Sequence, residues 1–484
     1  MNKKIRKPWV SWVMVLISLG FFSIVVLRAL KLSITHDEAY TYLHYVTKNW
    51  WSIIIYKPPH IPNNHILNTL LIKMSCGLLG TTPFNLRLPN VVFSLVYFWY
   101  AASIAKSFRF PGIQILAFLA LCLQVYFFDF FSLARGYGMG LALMMASIYH
   151  LYMYRELNNG HHIWRTLIFA AFAVYANFTF LYAFAALTML LVILWMQEGN
   201  GGTKTIGILL RPVLIVTGIL FVFIVIPLKN ISGDLFGGDT SFWRDTVGSL
   251  MWNMQYGQHD AIYTSLSYTV AIIVLVGALF FVYDTFQNTV SRFRFYQEAL
   301  LLLCLTAAVQ ILQHLILGTQ FLMGRTALVY APLFLVYIIF LFQRFNEFKA
   351  GENIQLALNS LWVLLLLFNF KAINLSHTFE WQYDRFNQEA LSLIEEDVKE
   401  NEWQETSVGI NWLFEPSLNF YRIAGKKEWL LPLSRDGYRD QNYRYYYLLG
   451  DNDKELIEKA EASGWSLMAN FPNDSYLFKN ENYR

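Results

Sequence analysis

Charged side chains are scarce in this chain. They make up 14% of its 484 residues, against about a quarter in an ordinary soluble domain, while hydrophobic residues make up 56%. That balance excludes an ordinary soluble domain, and with a mean hydropathy of +0.37 it indicates a polytopic membrane protein. Cysteine is nearly absent too. The three present, Cys76, Cys122 and Cys304, lie in hydrophobic stretches at spacings that suit neither a disulfide framework nor a thiolate metal site. A strong net charge is also missing. The formal value of +4 is spread along the loops, so it bears on membrane orientation and not on nucleic-acid binding. There is no Walker A loop, no GxGxxG after a strand and no HExxH, so a cytosolic nucleotide-sugar site is not indicated. Internal repeats and low-complexity tracts are absent as well.

Long hydrophobic runs are plentiful. A spanning helix needs about 20 mostly apolar residues, and that measure predicts helices near 9–30, 86–107, 112–131, 137–154, 163–178, 180–197, 206–227, 262–284, 296–317, 322–343 and 355–374. The first run has a basic lead (Lys3, Lys4, Arg6, Lys7). It is long for a signal peptide, and the segment from Arg28 to Lys31 makes a poor cleavage site, so it reads as an uncleaved span. Eleven spans place the termini on opposite sides. With the N-terminus inside, the inner connections hold Lys106 and Arg109, Arg155 and Arg165, Lys204 and Arg211, Arg292 and Arg294, and Arg344 and Lys349. The outer connections hold few basic residues, which agrees with the positive-inside rule. The predicted location is the cell (inner) membrane, with the N-terminus cytoplasmic and the C-terminal part extracytoplasmic.

Two regions lie outside the spans. The first outer loop, 31–85, contains an amphipathic helical pattern over 36–47, a stiff proline-locked loop from Lys57 to His65, and an apolar stretch at 65–80 that is short for a span. The second region, 375–484, reads as a small α/β domain. It has an amphipathic helix at 384–401, strands at 408–414, 444–449 and 465–471, and helices at 416–424 and 453–463. It is expected to hold no catalytic group. The fold class is thus an α-helical polytopic membrane protein with a small C-terminal α/β extracytoplasmic domain, divided at 1–374 and 375–484.

The chemistry centres on Asp37 and Glu38, two adjacent carboxylates just past the first span. Ionised groups there must face water or do work. Thr35 and Glu38 have capping-box spacing, so Glu38 has an alternative role in closing the start of a helix. The box does not use Asp37, which sits in the first turn, where the helix dipole keeps it ionised. The same outer face collects Arg135, beside Gly136 and Tyr137, and Arg325, after Gly324. A guanidinium forms paired hydrogen bonds to phosphate; the alternative for each arginine is snorkelling to lipid headgroups. Lys57, Asn64, His65 and Arg87 complete the set. Interfacial solvation, helix capping or a local ion pair would also account for Lys57, His65 and Arg87.

These motifs together resemble a family. Asp37-Glu38 after the first span, Pro58-Pro59 to Asn63-Asn64-His65, Phe84 to Pro89 around Arg87, Ala134-Arg135-Gly136-Tyr137 and Arg325-Thr326-Ala327 are similar, in order and placement, to the lipid-linked-sugar glycosyltransferases of the GT-C fold. That group includes the family 39 protein O-mannosyltransferases and the aminoarabinose transferases of lipid A. The likeness covers roughly 10–345. Where that family commonly has a His-Pro-Pro element, this chain has Asn63, Asn64, His65 and Ile66.

The resemblance implies transfer of a sugar from a polyprenyl-phosphate donor to an acceptor hydroxyl on the outer face. It implies Asp37 and Glu38 as catalytic residues, with Asp37 the base, and Arg135, Arg325 and Lys57 as donor-phosphate ligands. Tyr40, Asn64, His65, Arg87 and Tyr137 are then substrate contacts. The polyprenyl-phosphate-linked sugar is the donor substrate and no cofactor is certain; a divalent metal could replace the arginines in part, but no ligand cluster demands one. The implied partners are the lipid-linked donor, a glycan, lipid or protein acceptor, and membrane lipids, with no nucleic acid. Two alternatives stay open: a transporter or flippase of a lipid-linked sugar, and a membrane-anchored envelope assembly protein.

Overall fold

A computed structural model describes residues 8–197, 202–232, 236–257, 260–287, 293–347, 369–438 and 442–483. The first helix, α1 (Pro8–Lys31), is followed by α2 (His36–Thr41), which continues as a π-helical turn over Tyr42–Val46, and by α3 (Trp50–Ile54) and α4 (Ile66–Leu79). Next come α5 (Pro83–Ala105), α6 (Pro111–Cys122), α7 (Val125–Phe131), α8 (Gly136–Leu157), α9 (His161–Ala176), α10 (Leu181–Gln197) and α11 (Gly202–Asn230). Then follow α12 (Ser249–Met254), α13 (Asp260–Gln287), α14 (Phe295–Leu317) and α15 (Tyr330–Glu347). Two-residue strands β1 (Gly237–Gly238) and β2 (Phe321–Leu322) pair antiparallel at the ends of this bundle.

Seven helices among the described residues are long and apolar enough to cross a membrane, and there are eight if the pair α6 and α7, bent by 59°, is one broken span. The protein is a multi-pass membrane protein. Eleven spans were expected. Most of 355–374 falls outside the described residues. Helix α9 is shorter than a bilayer crossing requires. Helix α8 is buried along nearly its whole length, so neighbouring helices, not lipid, surround it, and a strongly apolar sequence is not needed there.

The C-terminal residues form a four-stranded sheet in the order β3 (Val408–Ile410), β4 (Tyr445–Leu449), β6 (Ser475–Lys479), β5 (Ser466–Phe471). The β3–β4 pair is parallel and the other two are antiparallel. Helices α16 (Asn387–Glu400), α17 (Glu415–Ala424) and α18 (Lys454–Ala462) accompany it. One core packs α16 and α17 on the sheet through Leu391, Ile394, Leu418 and Tyr447. Phe420 of α17 instead inserts between Ile34, Ala39, Ile72, Leu86 and Ala134. The hydroxyl of Tyr421 accepts the amide of Ile34 at 2.8 Å. The small sheet domain is therefore seated on the turn that begins α2.

Candidate active site

The start of α2 is built by its own sequence. The hydroxyl of Thr35 accepts the amide of Glu38 at 3.4 Å, and the Glu38 carboxylate accepts the amide of Thr35 at 3.0 Å; this is the capping box. Glu38 is fully buried. Arg87 forks onto it at 2.8 and 2.7 Å, and the amide of Ala134 donates to it at 2.6 Å. Arg87 also donates to the carbonyls of Ala29, Leu32 and Ser33. The pair thus ties the end of α1, the start of α2, helix α5 and the segment before α8 into one node.

Asp37, one residue earlier, faces the other way and keeps 17% of its side chain exposed. Its Oδ2 lies 3.1 Å from Nη2 of Arg135 and 3.9 Å from Nη2 of Arg325. Burial raises its pKa, but Arg135, Arg325 and His36 outweigh that and hold the carboxyl below its usual value. It is therefore an ionised, partly accessible acceptor.

Each arginine is aimed by its surroundings. Arg135 precedes α8 and is buried. It donates to Oδ1 of Asn63 and, at 3.3 Å, to the hydroxyl of Thr41, while its Nε is buried with no partner among the described residues. The close approach depends on Gly136, where a Cβ would fall 1.9 Å from the carbonyl oxygen of Ala176 and 2.7 Å from Cβ of His65. Arg325 follows Gly324, whose φ of +54° suits glycine. Its guanidinium lies over Phe236 at 4.3 Å and Trp381 at 5.3 Å and forms an ion pair with Glu380. Glu380 also accepts from the hydroxyl of Tyr126, from Nδ2 of Asn253 and from the amide of Arg325.

Of the remaining residues singled out in the sequence, His65 and Tyr137 border this cluster. Their rings meet edge-on at 5.2 Å. Burial, with Arg135 and Arg325 beside it, holds the His65 pKa well below its usual value, so the imidazole is neutral, and its Nε2 is buried without a partner among the described residues. Asn64 is anchored away from the cluster, through Nδ2 to the carbonyl of Ile53, with its Oδ1 unpaired. The Tyr40 ring lies 4.2 Å from that of His44, tilted by 37°, and Arg435 of the sheet domain lies over it at 5.9 Å. Lys57 is exposed, and among the described residues no hydrogen bond or ion pair joins its ammonium to the cluster.

Sequence reasoning missed Thr41, Asn63, Trp381, Glu380 and Asp384. Asn63 lay inside a motif already singled out. The last three come from the region expected to hold no catalytic group, yet Glu380 contacts Arg325 directly. Among the described residues no group of three or more His, Cys, Asp and Glu side chains is placed to hold a metal ion.

Helix α12 also borders an apolar cavity of about 1120 Å³, lined by Leu250, Met251, Met254, Val274, Leu303 and Tyr330 among others. Helix α12 is its shared wall: Met251 and Met254 face the cavity and Asn253 reaches Glu380.

No protein-family model matches the chain, and no curated protein sequence matches it. Solved structures do. ArnT from Cupriavidus metallidurans bound to undecaprenyl phosphate superposes with a TM-score of 0.51 at 11% identity, over 97% of this chain and 98% of that one. The same protein in the apo state gives 0.39 at 9% identity, over 98% of each chain. At this identity the likeness is one of fold, and it establishes this chain as a multi-pass membrane protein of the GT-C fold.

Proposed function

We propose that this protein transfers a sugar from a polyprenyl-phosphate carrier to an acceptor hydroxyl, with Asp37 as general base. The observation that carries this reading is the position of Asp37: a partly accessible, ionised carboxylate facing the buried guanidinium of Arg135 at 3.1 Å and the half-buried one of Arg325 at 3.9 Å. The acceptor oxygen attacks the anomeric carbon, its proton passes to Asp37, and the bond from that carbon to the phosphate oxygen breaks. The leaving carrier phosphate gains one negative charge, which Arg135 and Arg325 stabilise in a site pre-organised for it. The apolar cavity on the other side of α12 offers the isoprenoid chain a place. That the ArnT structure with the same fold contains undecaprenyl phosphate supports the choice of carrier.

The other residues take supporting roles in this reading. Glu38 and Arg87, which fill each other's hydrogen-bonding positions, position the base instead of reacting. His65, neutral, and Tyr137 contact the sugar, while Asn64, fixed on the carbonyl of Ile53, holds the loop that carries Asn63 and His65. Tyr40 faces the acceptor side. Lys57 meets the carrier at the membrane surface. The acceptor is a glycan, lipid or protein hydroxyl. The site lies on the outer face of the cell membrane, with the N-terminus inside and 375–484 outside as the acceptor platform, an orientation supported by the distribution of basic residues.

The test is release of undecaprenyl phosphate by the purified chain from a panel of undecaprenyl-phosphate-linked hexoses and pentoses, with membrane extracts as acceptors. Asp37→Asn should lose at least about 10²-fold in turnover, the scale of general-base catalysis, while keeping its melting temperature. Wild-type turnover by that variant removes Asp37 from the mechanism; no release from any donor removes the activity.

A further inference from the structure

Residues 374–384 run from the membrane-embedded part across the cluster to the sheet domain. Their near end is clamped. Arg28 at the end of α1 donates to the carbonyls of Asn374 and His377 and forms an ion pair with Asp129. Asp129 in turn accepts the amide of Phe379 at 2.9 Å. Beyond the clamp the strap sends carboxylates to both sides of the site. Glu380 takes Arg325. Asp384, 1% exposed, accepts the amide of His36 at 2.6 Å and is held by Ser417 and Asn387 at 2.8 and 2.7 Å.

We propose that this strap is a working part of the site. Glu380 is the positioning residue for Arg325 toward the donor phosphate, and Asp384 is the positioning residue for α2, and hence for Asp37, in proton transfer. This rests on the roles given above to Arg325 and Asp37.

The geometry gives each carboxylate a separate task. Glu380 occupies Nη1 of Arg325 and leaves Nη2 turned toward Asp37 across 3.9 Å, wider than a hydrogen bond. A phosphate oxygen is able to enter at that edge while Phe236 and Trp381 fix the plane. Glu380 and Asp37 also balance Arg135 and Arg325, so the cations are held pre-organised before any donor arrives. Asp384 acts on the other element. Helix α2 has six residues before its π-helical turn, too few to be stable alone, and its first amides lack intrahelical acceptors. Glu38 and Thr35 satisfy one another's amides, and Asp384 satisfies His36, the residue directly before Asp37. Burial pushes the Asp384 pKa up to about 8 against these donated hydrogen bonds. An amide at this position therefore resembles the protonated acid while still accepting from His36.

The experiment uses the full chain in nanodiscs, with undecaprenyl phosphate for binding and the donor identified above for turnover. Glu380→Ala should weaken undecaprenyl phosphate binding and raise donor KM about tenfold, with kcat within about threefold, the pattern of lost binding interactions. Asp384→Ala should lower kcat about tenfold or more, as a displaced base does, with donor KM within about twofold. Asp384→Asn should restore kcat to within about threefold of wild type. Should Asp384→Ala fail to fold, Asp384→Ser, whose shorter side chain does not reach the His36 amide, is measured in its place. Unchanged or tighter lipid binding by Glu380→Ala overturns the first assignment; tighter binding would make Glu380 a competitor of the phosphate. Equal kcat values for the Ala and Asn variants, or a loss confined to KM, overturn the second. If Asp37→Asn also keeps full turnover, the functional reading itself has failed. If Asp37→Asn is inactive and the strap variants behave as wild type, only the strap proposal has failed.

Discussion

At the scale of single residues, two adjacent carboxylates have been given opposite surroundings. Glu38 has its acceptor positions filled by backbone amides and a guanidinium; Asp37 has ion partners and an open side. Because the folded pKa of Asp37 is depressed, the charged form persists as pH falls and is lost only below the usual carboxylate range. Turnover of the sugar donor should accordingly show no acid limb from this group between about pH 7 and pH 5. A tenfold fall over that interval would assign the base to another residue. The arginines allow a sharper comparison. Arg135→Ala and Arg325→Ala should each raise donor KM more than they alter acceptor use. Lysine should rescue only partly, since it cannot form a paired contact with phosphate. Wild-type donor kinetics in both alanine variants would make these side chains membrane-interface anchors. Asp37 was legible in the sequence because the Thr35–Glu38 spacing accounts for its neighbour and leaves it over. Glu380 and Asp384 were not. Their partners lie 55 and 348 residues away, and no local pattern marks a carboxylate whose purpose is a distant amide or guanidinium.

At the scale of elements, the Arg87–Glu38 pair joins four segments that meet at the start of α2. Removing one partner of a buried pair strands the other charge, at about 3–5 kcal/mol. Arg87→Ala should therefore lower the melting temperature in detergent markedly. Glu38→Gln should be milder, because Arg87 keeps three carbonyl partners and glutamine still closes the capping box. An unchanged melting temperature in Arg87→Ala would show that the node is dispensable. Helices were the most readable elements, since long apolar runs have few alternatives; their number was less so, because α8 is shielded by protein and its composition does not report its surroundings. In the sheet domain, the strand expected over 408–414 ends at Ile410, since Asn411 caps the amide of Leu413 and turns Trp412–Phe414 into a 3-10 turn. The strand at Ser475–Lys479 was not anticipated. It is a five-residue run close to the chain end, and its central place in the sheet comes from pairing with both Tyr445–Leu449 and Ser466–Phe471.

At the scale of the whole molecule, the proposed orientation puts the sheet domain and the Asp37 cluster on one side of the membrane. In a cysteine-free background, Ser434→Cys, at an exposed position, should react with an impermeant thiol reagent added from outside intact cells. Reaction only after permeabilisation would reverse the orientation and move the site to the cytoplasmic face. The strap has a further consequence for how the molecule comes into being. During synthesis Asp37, Arg135 and Arg325 are all made before Glu380 and Asp384. With translation at about 5–20 residues per second, the 59 residues from Arg325 to Asp384 take on the order of seconds. A nascent chain, or one that ends early, thus has its cations and its base without the carboxylates that brace them. The site is completed only when the segment beyond the last membrane helix has emerged and packed against α2.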